Sequence, residues 1–306
     1  IDYIWRIVPD SGGYICEKYS EFRDTCGNLH DIYGGSILYY FAEESKRWRM
    51  GIISYRNVFI EHVKDAPIIE DASFEIEKGS ITALLGPNGS GKSTLMSTMN
   101  RLKSARSGKI LIEGHEIDSM RPKELAKKVA FVSQFSENTF NYSVEDAILW
   151  GRAPYISYLP RSRDHEIVEE TMNRLEISHL RKKTFNAISG GERQMVLVAR
   201  AIAQRSPVIL MDEPTTYLDV RNQARILNII KELNKNEKVT FIVTLHDPNH
   251  AMFIADNVAM IKDGRIEMDK AEQMLTEEKL EGLYGVKCGI KQGISKFIEI
   301  DYSKFL

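Results

Sequence analysis

The run Ile81-Thr82-Ala83-Leu84-Leu85-Gly86-Pro87-Asn88-Gly89-Ser90-Gly91-Lys92-Ser93-Thr94 decides how the rest of the chain is read. Ile81 to Leu85 reads as a buried strand, it stops at Gly86, and a helical pattern begins at Thr94. Between them stands G-x-x-x-x-G-K-[ST], spelled Gly86 to Ser93, which is a P-loop in its required strand–loop–helix context. The glycines let backbone N–H groups turn inward around phosphate oxygens, and the helix start adds its positive dipole end. Residues Gly86, Pro87, Asn88, Gly89, Ser90, Gly91, Lys92, Ser93 and Thr94 are therefore the expected nucleotide cradle. Lys92 is placed to reach the β- and γ-phosphates, and Ser93 to offer its hydroxyl to Mg²⁺.

Composition restricts what such a loop can serve. With 306 residues, 43% hydrophobic and 27% charged, the chain is an ordinary globular one of one large or two modest domains. A net charge of −2 gives no basic field for nucleic acid. The three cysteines, Cys16, Cys26 and Cys288, are too scattered for a disulfide framework. Cys16, Cys26 and His30 make only a weak metal pattern, and unrelated small residues is the better reading. No apolar run is long enough to span a bilayer, and no signal segment is visible, so any membrane role is expected to be peripheral, through a partner.

Away from the P-loop the chain divides. Residues 1–49 are aromatic-rich without a sustained period, with one short helix conceivable over 36–49. Met50 precedes the first clear strand, so 50–306 is expected to be the functional unit and 1–49 an extension of unknown role. Strands are expected at 52–60, at Ile68-Ile69, at 72–76, 109–113, 129–133, 208–211, 239–245 and 258–261. Helices are expected at 122–128, 144–150, 165–175, 192–204, 221–234 and 249–255. Unbroken apolar strands argue for a parallel sheet covered on both faces.

Asp212 and Glu213 end the apolar strand Val208–Met211, at the edge where a parallel sheet presents its ligand side. Asp212 is placed to hold Mg²⁺, and Glu213 to polarise an attacking water. Ser189-Gly190-Gly191-Glu192 opens another helix and makes a second anion site, although a serine there is also a good N-cap. One nucleotide cannot readily use two such helix starts in one chain, which suggests a nucleotide shared between two copies.

Taken together these motifs resemble the ATP-binding-cassette (ABC) ATPases over about residues 50–286. The signature reads Ile188-Ser189-Gly190-Gly191-Glu192-Arg193-Gln194, the Walker B strand Val208–Asp212, and the D-loop Tyr217-Leu218-Asp219. The resemblance adds Gln134 as the Q-loop residue touching Mg²⁺ and water, and His246 as the switch histidine at the γ-phosphate. It puts His62 where the family stacks an aromatic on adenine, and it gives Asp219 a role at the shared nucleotide besides capping the next helix. Leu149-Trp150-Gly151-Arg152-Ala153-Pro154 and Glu281-Gly282-Leu283-Tyr284-Gly285-Val286 are similar to the ATPase subunits of iron-siderophore, haem and cobalamin importers.

The resemblance implies an α/β P-loop NTPase with a RecA-like core, an N-terminal antiparallel β subdomain and an inserted helical subdomain at about 135–187. It implies ATP and Mg²⁺, an ATP-sandwich homodimer, a multi-span membrane permease and, indirectly, a substrate-binding protein, with no nucleic acid. The place implied is the cytoplasmic face of the cell membrane. Phe135, Phe140 and Tyr142 are expected to face the permease. A soluble ABC ATPase acting on ribosomes or nucleic-acid complexes is the other reading, but such relatives usually carry paired cassettes or a coiled coil. A small-molecule kinase would leave Ser189-Gly190-Gly191 without a reason.

Overall fold

Alternate residues of the P-loop strand go to two different cores, which is why no polar alternation shows in its sequence. The computed structural model describes residues 3–7, 14–18, 51–63, 66–133, 141–293 and 295–305. Contacts divide the chain into Ile1–Arg49 and Met50–Leu306. In the first unit β1 (Tyr3–Ile7) pairs antiparallel with β2 (Tyr14–Lys18), strands rich in residues that suit a pleated surface. Cys26, His30 and the conceivable helix over 36–49 lie outside the described residues.

In the second unit β3 (Ile53–Val63), β4 (Ala66–Ile76), β6 (Ser107–Ile112) and β7 (His115–Glu116) form an antiparallel sheet in the order β4-β3-β6-β7. The larger sheet contains β5 (Ile81–Leu85), β8 (Val129–Val132), β9 (Val208–Met211), β10 (Thr240–Thr244), β11 (Asn257–Lys262) and β12 (Arg265–Lys270). Its order is β12-β11-β5-β10-β9-β8. All neighbours are parallel except β12, which runs antiparallel on the edge. Ile81, Ala83 and Leu85 enter one core, with Ile209, Met211, Phe241 and Val243. Leu84, Leu210 and Ile242 enter the other, against the antiparallel sheet. Both faces are thus covered and the strands read as continuous apolar runs.

In the antiparallel sheet and the helical layer, two expectations change. Ile68-Ile69 is not a separate strand from 72–76, because β4 is continuous across Glu70-Asp71. The break in alternation is absorbed by irregular register: Asn57 and Asp71 take φ of 48° and 49°, and Asn57 Nδ2 donates to Asp71 Oδ1 at 2.9 Å. Tyr142 does not face outward. It is half-buried, 5.3 Å from the Phe185 ring and 4.3 Å from Trp150, so it packs within the helical layer. Phe135 and Phe140 lie outside the described residues.

Helices α1 (Lys92–Met99) and α2 (Pro122–Lys128) flank the core sheet. The helical layer holds α3 (Val144–Leu149), α4 (Ser162–Arg174) and α5 (Gly190–Ala203). A turn at Trp150–Arg152 locks this layer together. A Cβ at Gly151 would stand 2.1 Å from Arg200 O, so only glycine fits that approach. Arg152 is 7% exposed, donates from Nε to Asp164 Oδ1 at 3.1 Å, and caps the end of α5 through Ala203 O at 3.0 Å. Asp164 is held below the usual carboxylate range chiefly by the Arg161 N–H and also by Arg152, against the effect of burial. Arg152→Ala strands that carboxylate and frees the α5 carbonyls, so it is expected to cost on the order of 3 kcal/mol in a urea melt. Because the folded pKa is depressed, the Asp164 contribution is full above the ordinary carboxylate pKa. It fades as pH falls through the folded value, so the wild-type and Arg152→Ala melts should converge in acid. A gap that stays constant with pH would contradict this account.

After α6 (Val220–Glu237) and α7 (Pro248–Ile254) come α8 (Ala271–Met274), α9 (Glu277–Tyr284) and the hairpin of β13 (Val286–Gln292) and β14 (Lys296–Phe305). The Asn249 side chain sews the hairpin to α7: Nδ2 donates to Ile298 O at 3.1 Å, and Oδ1 accepts from Ile298 N at 2.6 Å.

Candidate functional site

A cleft of ≈ 470 Å³ opens above the C-terminal ends of β5, β9 and β10, lined among others by Asn88, Lys92, Ser93, Thr94, Glu213 and His246. The turn from β5 into α1 shapes one wall. Gly91 caps α1 with φ 99°, and a Cβ there would stand 2.5 Å from Ile68 Cγ2, so glycine is required twice over. The helix starts at Lys92, two residues before the expected Thr94. Lys92 is 6% exposed, and its Nζ donates to Gly86 O at 2.8 Å and Pro87 O at 2.9 Å. Burial pushes its pKa down, while Glu213 and Asp212 pull it back up. Ser90 Oγ is buried with no hydrogen-bond partner among the described residues. A cradle with a buried cation, an unpartnered hydroxyl and a helix start is chemically suited to a polyphosphate.

Asp212 sits beneath the cleft rather than on its lining, 5% exposed at the end of β9. Its Oδ1 accepts from Thr244 Oγ1 at 2.7 Å. Glu213 follows with φ 51°, a left-handed conformation, and its N–H donates to the same Thr244 Oγ1 at 2.7 Å. His246 Nε2 lies 2.5 Å from Glu213 Oε1, and Thr216 Oγ1 donates to Glu213 Oε2 at 3.2 Å. The structure thus brings Lys92, Ser93, Glu213 and His246 to one cleft. The Ser93 hydroxyl and the Asp212 carboxylate are hard oxygen ligands of the type Mg²⁺ takes, with water completing an octahedron, so the residues present fit that ion.

Ser189, Gly190 and Gly191 do not line the cleft. Ser189 caps α5: its Oγ accepts from Glu192 N at 3.2 Å, while Glu192 Oε2 accepts from Ser189 N and Oγ, both at 2.8 Å. Those bonds, the Ser189 N–H first, hold the Glu192 carboxyl below its usual range. Gly190 is exposed with nothing near its Cβ position. Asp219 caps α6 through Asn222 N at 2.8 Å. Gln134 lies outside the described residues, and so does the His62 side chain, although position 62 falls in β3.

Sequence reasoning gave no role to Thr216, Thr244 or Gln223. Gln223 Nε2 donates to Leu218 O at 3.0 Å and Thr215 O at 3.3 Å, fixing the loop between Glu213 and Asp219. Thr244 was hidden inside a strand read as apolar; its hydroxyl was the available signal. Among the described residues no group of three or more His, Cys, Asp or Glu side chains could hold a metal by itself, and no helix is long and apolar enough to cross a membrane.

Residues 69–216 match the family described as ABC transporter. The chain is 34% identical over 248 residues to the petrobactin import ATP-binding protein FpuC of Bacillus anthracis, covering 80% of this chain and 91% of that one. It is 34% identical over 226 residues to the ferric enterobactin transport ATP-binding protein FepC of Escherichia coli (strain K12), covering 73% and 83%. A solved dimeric cassette of a bacterial ABC transporter superposes with a TM-score of 0.65 at 26% identity, over 72% of this chain and 98% of that one. With its P-loop cleft built as described, the chain belongs to the ATP-binding, ATP-hydrolysing proteins of the ABC transporter family.

Proposed function

We propose that this ATPase powers an importer for an iron chelate of the siderophore or haem class, or for cobalamin, working as a homodimer beneath a multi-span permease. The Glu213–His246 contact facing Lys92 and Ser93 is the observation that carries the hydrolytic part. The import part is supported by the petrobactin and enterobactin transport proteins among the relatives.

In this reading Lys92 exchanges the Gly86 and Pro87 carbonyls for the β- and γ-phosphates of ATP, regaining a full counter-charge for a buried ammonium. The backbone N–H groups of Gly89 to Thr94 and the Ser90 hydroxyl surround the phosphates. Ser93 and Asp212, with Gln134, would hold Mg²⁺, which supplies neutralisation of the developing phosphoryl charge. The Glu213 carboxylate orients water for in-line attack on the γ-phosphorus and takes its proton as the bond to the leaving ADP oxygen breaks. His246 fixes that carboxylate and faces the γ-phosphate. His62 would stack on adenine. Ser189, Gly190, Gly191, Glu192 and Asp219 of a second copy would close over the nucleotide. ATP binding joins the copies and hydrolysis parts them, which biases the permease between its two states.

The chain would then sit peripherally at the cytoplasmic membrane face, touching the substrate-binding protein only indirectly. Extracted from membranes in mild detergent, it is expected to co-purify with a multi-span permease, and the ATPase of that complex in liposomes should rise with an iron chelate and its binding protein. Recovery without any permease, or a rate indifferent to chelate and cobalamin alike, would defeat the import reading.

We also propose that 50–306 is the functional ATPase unit, in keeping with the division of contacts at Met50. Residues 50–306 expressed alone should hydrolyse ATP within about twofold of the full chain's rate, since a unit with its own core can fold alone; an insoluble or inactive product would refute this.

A further inference from the structure

We propose that Thr244 is the positioning residue for both acids of the hydrolytic site. A hydroxyl buried in an apolar strand is unfavourable unless its bonds are made, and Thr244, with no exposed surface, makes them in one place. It donates to Asp212 Oδ1 at 2.7 Å and accepts from Glu213 N at 2.7 Å. The two bonds act on different things. The first fixes which way the Asp212 carboxylate turns. The second holds the peptide that carries Glu213, a residue with a Cβ kept at φ 51°, where such residues persist only if their surroundings hold them.

The neighbouring bonds leave Thr244 as the adjustable link. The Asp212 backbone is tied to β8 by its N–H to Val132 O at 2.9 Å, so the chain is fixed up to that residue and turns immediately after it. The turn places Glu213 Oε1 2.5 Å from His246 Nε2. Thr244 ends β10 and His246 stands two residues beyond it, so one short stretch delivers a hydroxyl to the Glu213 backbone and an imidazole to its carboxylate. A valine at 244 fills the same volume but leaves the Glu213 N–H without its acceptor and the Asp212 carboxylate free to rotate.

The inference rests on the roles proposed above for Asp212 and Glu213, and Thr244→Val, Thr244→Ser and Thr244→Cys test it in the full chain. Thr244→Val should lower kcat by about 10–100-fold with KM for ATP little changed, the usual size when a residue orienting a ligand is removed. In a separate binding assay with a fluorescent ATP analogue, Thr244→Val should need several-fold more Mg²⁺ for the magnesium-enhanced affinity, while affinity in EDTA stays as in wild type. Thr244→Ser should restore both. Should the valine variant fail to fold, the cysteine variant, with a weak donor and acceptor of similar size, should show the same two effects in smaller degree. A Thr244→Val, or a Thr244→Cys in its place, with wild-type kcat and Mg²⁺ dependence overturns the proposal. So does a variant in which EDTA-state binding and melting temperature fall in step with kcat and serine does not rescue. If instead the roles of the acids were wrong, Glu213→Gln would itself turn over normally, which separates the two failures.

Discussion

Glu213→Gln is expected to bind ATP as the natural chain does and to hydrolyse it at least ~10²-fold more slowly, the scale of a lost general base. The substitution keeps the shape of the side chain and its amide oxygen, so the Thr216 hydroxyl at 3.2 Å keeps an acceptor. The backbone at φ 51° and its bond to Thr244 are untouched. What disappears is the negative charge that sits beside Lys92 and accepts from His246. In the proposed mechanism binding rests mainly on Lys92, Ser93 and the loop amides, whereas Glu213 acts on the attacking water, so affinity should hold while the chemical step fails. Equilibrium binding and steady-state phosphate release on the same preparation provide the test. Turnover within threefold of wild type would remove Glu213 from the mechanism, and a parallel loss of binding would make its role structural.

How far the sequence reached depends on the range of the signal. The P-loop is local: strand, glycines, lysine and helix all lie within fourteen consecutive residues, Ile81 to Thr94, so reading order and spatial order coincide. The acids at 212 and 213 were legible for the same reason, standing at the end of a short apolar run. Thr244 was not, because threonine suits a strand whether or not its hydroxyl has work across the sheet, and only the pairing of β10 with β9 brings it to Asp212. The continuity of β4 was hidden because Asn57 on another strand accommodates Asp71. The C-terminal hairpin alternates weakly, and what anchors it, Asn249 against Ile298, is forty-nine residues apart in sequence. Tyr142 looked like a surface aromatic in a polar stretch; the rings that bury it, Trp150 and Phe185, lie on later turns.

The separation of the two features proposed to bind phosphate leads to the other large effect. Within one chain, Ser189 to Gly191 are absent from the lining of the cleft that holds Lys92 and Glu213. Yet Ser189 and Gly190 are exposed, α5 behind them runs fourteen residues, and Gly190 has open space where a side chain would be. A helix start of that kind favours an anion, and a second copy bringing its own cleft would supply one. In the Glu213→Gln background, where ATP persists, Mg·ATP should therefore double the mass seen by size-exclusion chromatography with light scattering, and removing nucleotide should return the monomer. Adding Ser189→Arg should abolish the doubling. The arginine fills the space a phosphate needs, and the lost cap costs only about 1 kcal/mol, so the monomer should still melt cooperatively and bind ATP through Lys92. That last control matters, because a variant that neither dimerises nor binds would have lost the fold rather than the interface. A mass that ignores ATP in both proteins would contradict the sandwich. A mass doubled with and without ATP in both would instead locate the dimer contact away from Ser189, with the C-terminal hairpin the next surface to remove. If the sandwich holds, ATPase per molecule in the natural chain must also rise with protein concentration, since each hydrolytic site would need residues from two chains.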